Sequence, residues 1–159
     1  MTNTLFLIFL SSVSGLMCGL FLSNRVKRRE MYFKDLLDLT DRLISDIGFL
    51  QNPSDQIIKT FECKSVHLKK NIAEYLDFVD GKKLNLSLTV LSKRELAAIK
   101  DFFERLGTLD LDNQINELSA KRALFLQFYS VCQKRDSSFG KAYIKLGFLM
   151  GLAVGIMMI

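Results

Sequence analysis

The stretch GFLMGLAVG, residues 147–155, decides how the rest of the chain is read. Gly147, Gly151 and Gly155 recur every fourth residue, so a helix carries all three on one face. In a water-exposed helix each would cost about 1 kcal/mol relative to alanine. In lipid the same residues let two helix backbones approach closely, and that contact offsets the cost. Residues 146–159 carry no charged side chain and lack the polar face of a soluble amphipathic helix. The glycine face therefore predicts a membrane helix packed against another helix. A buried C-terminal core helix is the rival reading.

A second apolar run fits that role. Residues 4–22 are free of charge and reach about 28 Å as a helix, close to the hydrocarbon thickness of a bilayer. Ser11, Gly15 and Gly19 form its own small-residue face. A signal peptide would place basic residues ahead of the apolar run, but MTNT has none and the positive charge follows instead, so an uncleaved anchor is expected. Residues 142–159 reach about 27 Å, with Tyr143 as an interfacial anchor and Lys145 able to snorkel.

Charge is confined between these runs. No charged residue precedes Arg25 and none follows Lys145, although the chain holds 22 Lys and Arg and 17 Asp and Glu. Arg25, Lys27, Arg28 and Arg29 flank the first run; Lys134, Arg135, Lys141 and Lys145 flank the second. Basic flanks stay cytoplasmic, so both ends orient the intervening chain inward. An alternative role for the first cluster, Arg25 to Arg29, is a binding site for anionic lipid headgroups. The expected layout is all-α: a transmembrane helix at 4–22, a cytoplasmic helical domain at 23–141 and a transmembrane helix at 142–159.

The charged middle reads as a helical bundle. Tyr32, Phe33, Leu36, Leu37, Leu43, Ile44, Ile47 and Leu50 follow three-four spacing, with Asp35 and other charged residues between them. No breaker separates this helix from the first apolar run. Asn52 and Pro53 suit the start of the next helix, and Ile57, Ile58 and Phe61 form its stripe. A helix over 66–79, with Ile72, Tyr75, Leu76 and Val79 on one side, ends at Asp80 and Gly81. LNLSLTVL at 84–91 alternates like a strand but has no partner, so an extended link or a helix end is expected. Ser92 and Glu95 have capping-box spacing, and Gly107 suits the C-terminal cap of the helix they open. A long helix follows over 112–135, and Asp136, Ser137, Ser138 and Gly140 suggest a hinge before the last span.

No enzymatic motif is present. The chain lacks a P-loop, GxSxG and HExxH, and no cysteine pairs with the single His67. No cofactor or metal is expected. The net charge of +5 is explained by the flanks, without a nucleic-acid motif. Cys18, Cys63 and Cys132 are scattered and suggest no disulfide framework.

Two stretches carry a resemblance. Residues 106–114, LGTLDLDNQ, match an LG-x-x-D-x-x-x-Q element of the stage III sporulation protein AB family. Residues 145–151 with the apolar end resemble that family's LG-x-x-x-G span. The resemblance implies a two-pass protein of the outer forespore membrane, its helical domain in the mother-cell cytoplasm. It implies likeness to inner-membrane platform domains of type II secretion. It further implies a subunit of a secretion-like channel between mother cell and forespore, coupling a cytoplasmic secretion-type ATPase (stage III sporulation protein AA) to other membrane subunits. By that likeness Leu106, Gly107, Asp110 and Gln114 form the candidate partner surface. The competing reading of those residues is a plain helix–helix turn, with Gly107 ending one helix and Asp110 capping the next. Gln114 stands out, since such a turn does not require it. A membrane-anchored regulator or assembly factor without an ATPase is the alternative function.

Overall fold

A computed structural model describes the backbone of residues 2–50, 54–86 and 91–157, and side chains over 9–49, 54–86, 91–135 and 142–157. Among the described residues five helices follow one another: α1 (Thr2–Leu50), α2 (Ser54–Lys59), α3 (Val66–Val79), α4 (Lys93–Arg105) and α5 (Leu111–Met157). Among the described residues there is no strand. Residues 82–86 lack regular structure; the rest of the alternating stretch, 87–90, and the expected cap at Asn52 and Pro53 lie outside the described residues.

α1 and α5 are far longer than the rest. α1 meets no proline along its 49 residues. α5 runs unbroken through Asp136, Ser137, Ser138 and Gly140, which corrects the expected hinge. Once a helix is nucleated, each added residue gains a backbone hydrogen bond, so a few weak helix formers between strong segments do not interrupt it.

The chain divides into two units, Met1–Glu30 with Val131–Ile159, and Met31–Ser130. The first is an antiparallel helical hairpin whose contact is made of backbone. A methyl group on Gly19 would lie 2.6 Å from the Tyr143 carbonyl oxygen, and one on Gly151 2.5 Å from that of Ser11. Gly15 and Gly147 abut each other's carbonyls in the same way. The Ser11 hydroxyl donates to the Gly151 carbonyl at 2.9 Å. Gly155 is buried as well. Outward, the hairpin exposes Phe9, Met17, Phe21, Leu149, Met150 and Ile156. By length and composition α1 is long and apolar enough to cross a membrane; the apolar part of α5, Ala142–Met157, is shorter.

The second unit buries a mixed aliphatic and aromatic core. α1 supplies Tyr32, Phe33, Leu36, Leu39, Leu43 and Ile47, and α2 supplies Ile57 and Ile58. Phe102 meets Phe125 with ring centroids 5.4 Å apart, Tyr75 meets Phe103 at 5.4 Å, and Phe33 meets Phe128 at 5.5 Å. Caps hold the short helices in place. Ser65 accepts the Leu68 amide at the start of α3, and Ser92 and Glu95 cap each other's backbones at α4. Asp35, one of the charged residues set between the apolar positions of α1, is buried. It accepts the backbone N–H groups of Lys64 at 2.7 Å and Ser65 at 2.6 Å, fixing the entry to α3 onto α1. On the surface, Asp101 pairs with Lys121 across α4 and α5, and Asp41 with Arg122 across α1 and α5.

Candidate partner surface

The link between α4 and α5 is built by its own side chains. Leu106 leaves the helix in an extended conformation, and Gly107 follows with φ of +78°, a region that glycine enters without strain. The Thr108 hydroxyl donates to the Arg105 carbonyl at 2.8 Å, covering one open group at the end of α4. Asp110 precedes α5. Its carboxylate accepts from the Asn113 side chain at 2.7 Å, and its carbonyl accepts the Gln114 amide N–H at 2.8 Å.

Gln114 is the centre of this link. Its side chain is buried beneath it. In the amide orientation that matches donors to acceptors, it donates to the Leu109 carbonyl at 3.2 Å. Its oxygen accepts the Gly107 N–H at 3.1 Å and the Ser54 hydroxyl at 2.9 Å. The turn therefore uses Gln114, which corrects the sequence-based argument that it had no need of it. One amide satisfies two backbone groups of the turn and ties them to the first residue of α2.

Beside Gln114 a cleft of about 430 Å³ opens to solvent. Ile47, Tyr75 and Leu106 form its apolar floor, with Ser54 and Asp55 from α2 along one side. Val79, Leu109 and Leu111 line it and are exposed, giving the rim an apolar character. Burial pushes the Tyr75 hydroxyl up to about 12, and the nearby Asp55 carboxylate adds to the shift. Asp55 is itself paired with Lys59 at 3.5 Å.

Three of the four residues singled out by the sequence line this cleft: Leu106, Gly107 and Gln114. Asp110 stays on the exposed side of the turn and does not line it. Ser54 and Asp55 were not foreseen, because no local pattern connects them to a turn about fifty residues away. Tyr75 and Val79 were foreseen only as part of the α3 stripe. Among the described residues no group of three or more His, Cys, Asp or Glu is placed to hold a metal ion.

In the hairpin unit, Ser11, Gly15, Gly19, Gly147 and Gly151 share one contact. Arg25, Lys27, Arg28 and Lys145 are exposed, Arg29 is half-buried, and the Lys141 side chain lies outside the described residues.

Neither a curated protein nor a solved structure matches the chain. The model of one family, stage III sporulation protein AB, matches residues 4–159. That match takes in the glycine-packed hairpin, the bundle and the 106–114 turn together, and the chain belongs to this family of sporulation proteins.

Proposed function

We propose that the protein is a non-enzymatic membrane platform subunit of a secretion-like channel that operates during sporulation. Its hairpin unit crosses the outer forespore membrane twice, with the helical bundle in the mother-cell cytoplasm. The bundle holds a cytoplasmic secretion-type ATPase, stage III sporulation protein AA, and couples it to the other membrane subunits, as platform domains of type II secretion do.

The observation that carries this reading is that α1 and α5 each belong to both units. The two helices that pack through glycine in the apolar hairpin are the same two that frame the bundle core. Within the bundle unit, the 106–114 turn and its cleft lie at the end of α1 far from Met31 and at the start of α5, far from Ser130. Over α1 that distance is about 24 Å from Met31 to Ile47. The apolar rim of Val79, Leu109 and Leu111 offers the ATPase a contact patch whose loss leaves the buried core intact.

The test is affinity capture of the full-length protein from solubilised sporulating cells, with wild type beside a Val79→Asp, Leu109→Asp double variant. Recovery of the ATPase with wild type and its loss with the variant is the expected result. Capture of other membrane subunits without any ATPase would replace the platform reading with that of an assembly factor or regulator.

A further inference from the structure

We infer that the basic collar of the hairpin unit is a binding surface for anionic phospholipid headgroups, which rests on the membrane reading above. The first observation is a segregation of charge. The hairpin unit holds eight Lys and Arg against Glu30 and Asp136, whereas the bundle unit holds fourteen against fifteen acids. The whole +5 excess of the chain therefore comes from the hairpin.

The second observation is register. Gly15 faces Gly147 and Gly19 faces Tyr143, so the helices run antiparallel. Continued along both helices, this register brings residues 25–29 level with 134–138, and two helices contribute to one basic band. Arg25, Lys27 and Arg28 from α1 are exposed in it, as are Lys134 and Arg135 from α5.

The third observation is the alignment of apolar and basic groups. Phe21, Arg25 and Arg28 stand at i, i+4 and i+7 and are all exposed, so they share one side of α1. Phe21 is 71% exposed, facing where an acyl chain would lie. The guanidinium groups one and two turns further on sit at the level of a phosphodiester and match it with forked hydrogen bonds. A phospholipid presents these two chemistries in the same order along the bilayer normal. Orientation of the protein requires only the count of basic residues in the flank, not this alignment. A free phosphate ion would gain the charge contact alone; the lipid also gains the apolar face beneath it.

The chain contains no tryptophan, so Phe21→Trp introduces a single fluorophore beside the collar. The full-length variant is reconstituted into phosphatidylcholine vesicles containing phosphatidylglycerol, with bromine on the chains of one lipid or the other. Quenching by either brominated lipid reports insertion, and the ratio of the two reports preference at the collar. The expected result is a preference for phosphatidylglycerol of about fivefold or more in low salt. It falls toward unity in 0.5 M salt, and also when Arg25→Gln, Arg28→Gln and Arg135→Gln are added. Phosphate and chloride at matched ionic strength should act alike. Quenching by neither lipid would overturn the membrane reading itself. Equal quenching by both in low salt, or a preference that the three substitutions leave unchanged, would overturn lipid recognition alone. Selective displacement by phosphate would reassign the collar to the free ion.

Discussion

Replacing Gln114 with alanine removes three hydrogen bonds at once, to the Leu109 carbonyl, the Gly107 N–H and the Ser54 hydroxyl. Each such bond contributes about 0.5–1.5 kcal/mol net. The neighbouring cleft admits water to part of the released groups, so the lower half of that range applies, about 2 kcal/mol in total. For a unit of this size that lowers the melting temperature by about 10 °C. It should also open the 106–114 turn locally, raising hydrogen exchange at the Gly107 amide by about 30-fold. Ser54→Ala removes one of the three bonds and should give about a third of the effect. Both quantities are read on full-length protein in detergent, by thermal circular dichroism and by hydrogen exchange of peptides covering the turn. A Gln114→Ala protein with unchanged melting and exchange, yet impaired capture of its partner, would refute the bracing role and make the side chain a direct contact.

Three further outcomes follow from the geometry. Gly147→Ala drives a methyl group into the Gly15 backbone and should separate the hairpin, weakening a disulfide cross-link engineered between the two helices; Gly48→Ala, whose methyl meets only the Ile115 Cδ1 at 3.6 Å, should be neutral or stabilising by up to about 1 kcal/mol. Asp35→Ala leaves the Lys64 and Ser65 N–H groups without their charged acceptor and should cost about 3 kcal/mol, measured by thermal unfolding. Tyr75 binds its proton more tightly folded than unfolded, so its contribution is intact below about pH 10 and is lost as the pH rises toward about 12; an alkaline absorbance titration should show this phenol ionising late, and Tyr75→Phe should remove that part of the alkaline instability.

The helices were readable where local chemistry and apolar period agree. Residues 66–79 became α3, where the stripe of Ile72, Tyr75, Leu76 and Val79 runs up to Asp80 and Gly81. Ser92 and Glu95 formed the capping box that their spacing implies. The long α5 was missed across 136–140, where propensity pointed to a break and helix on both sides overrode it. Burial of Asp35 was also missed, since its partners are backbone groups thirty residues away and leave no mark on side-chain pattern. The cleft was legible only in part. Leu106, Gly107 and Gln114 stand together in sequence, but the role of Gln114 depends on Ser54, sixty residues upstream, and on the path of the turn above it.

The hairpin contact joins residues 140 positions apart, Ser11 to Gly151. A ribosome takes roughly 7–30 s to make that much chain. Throughout this interval the glycine face of α1 exists without its mate, and by its end every residue of the bundle has been made. The hairpin therefore cannot close until residues 143–151 have been made. The interval sets a kinetic window in which another small-residue helix can take the place of residues 147–155. A cell that makes the protein quickly, or keeps competing helices scarce, narrows that window without altering the stability of the finished molecule.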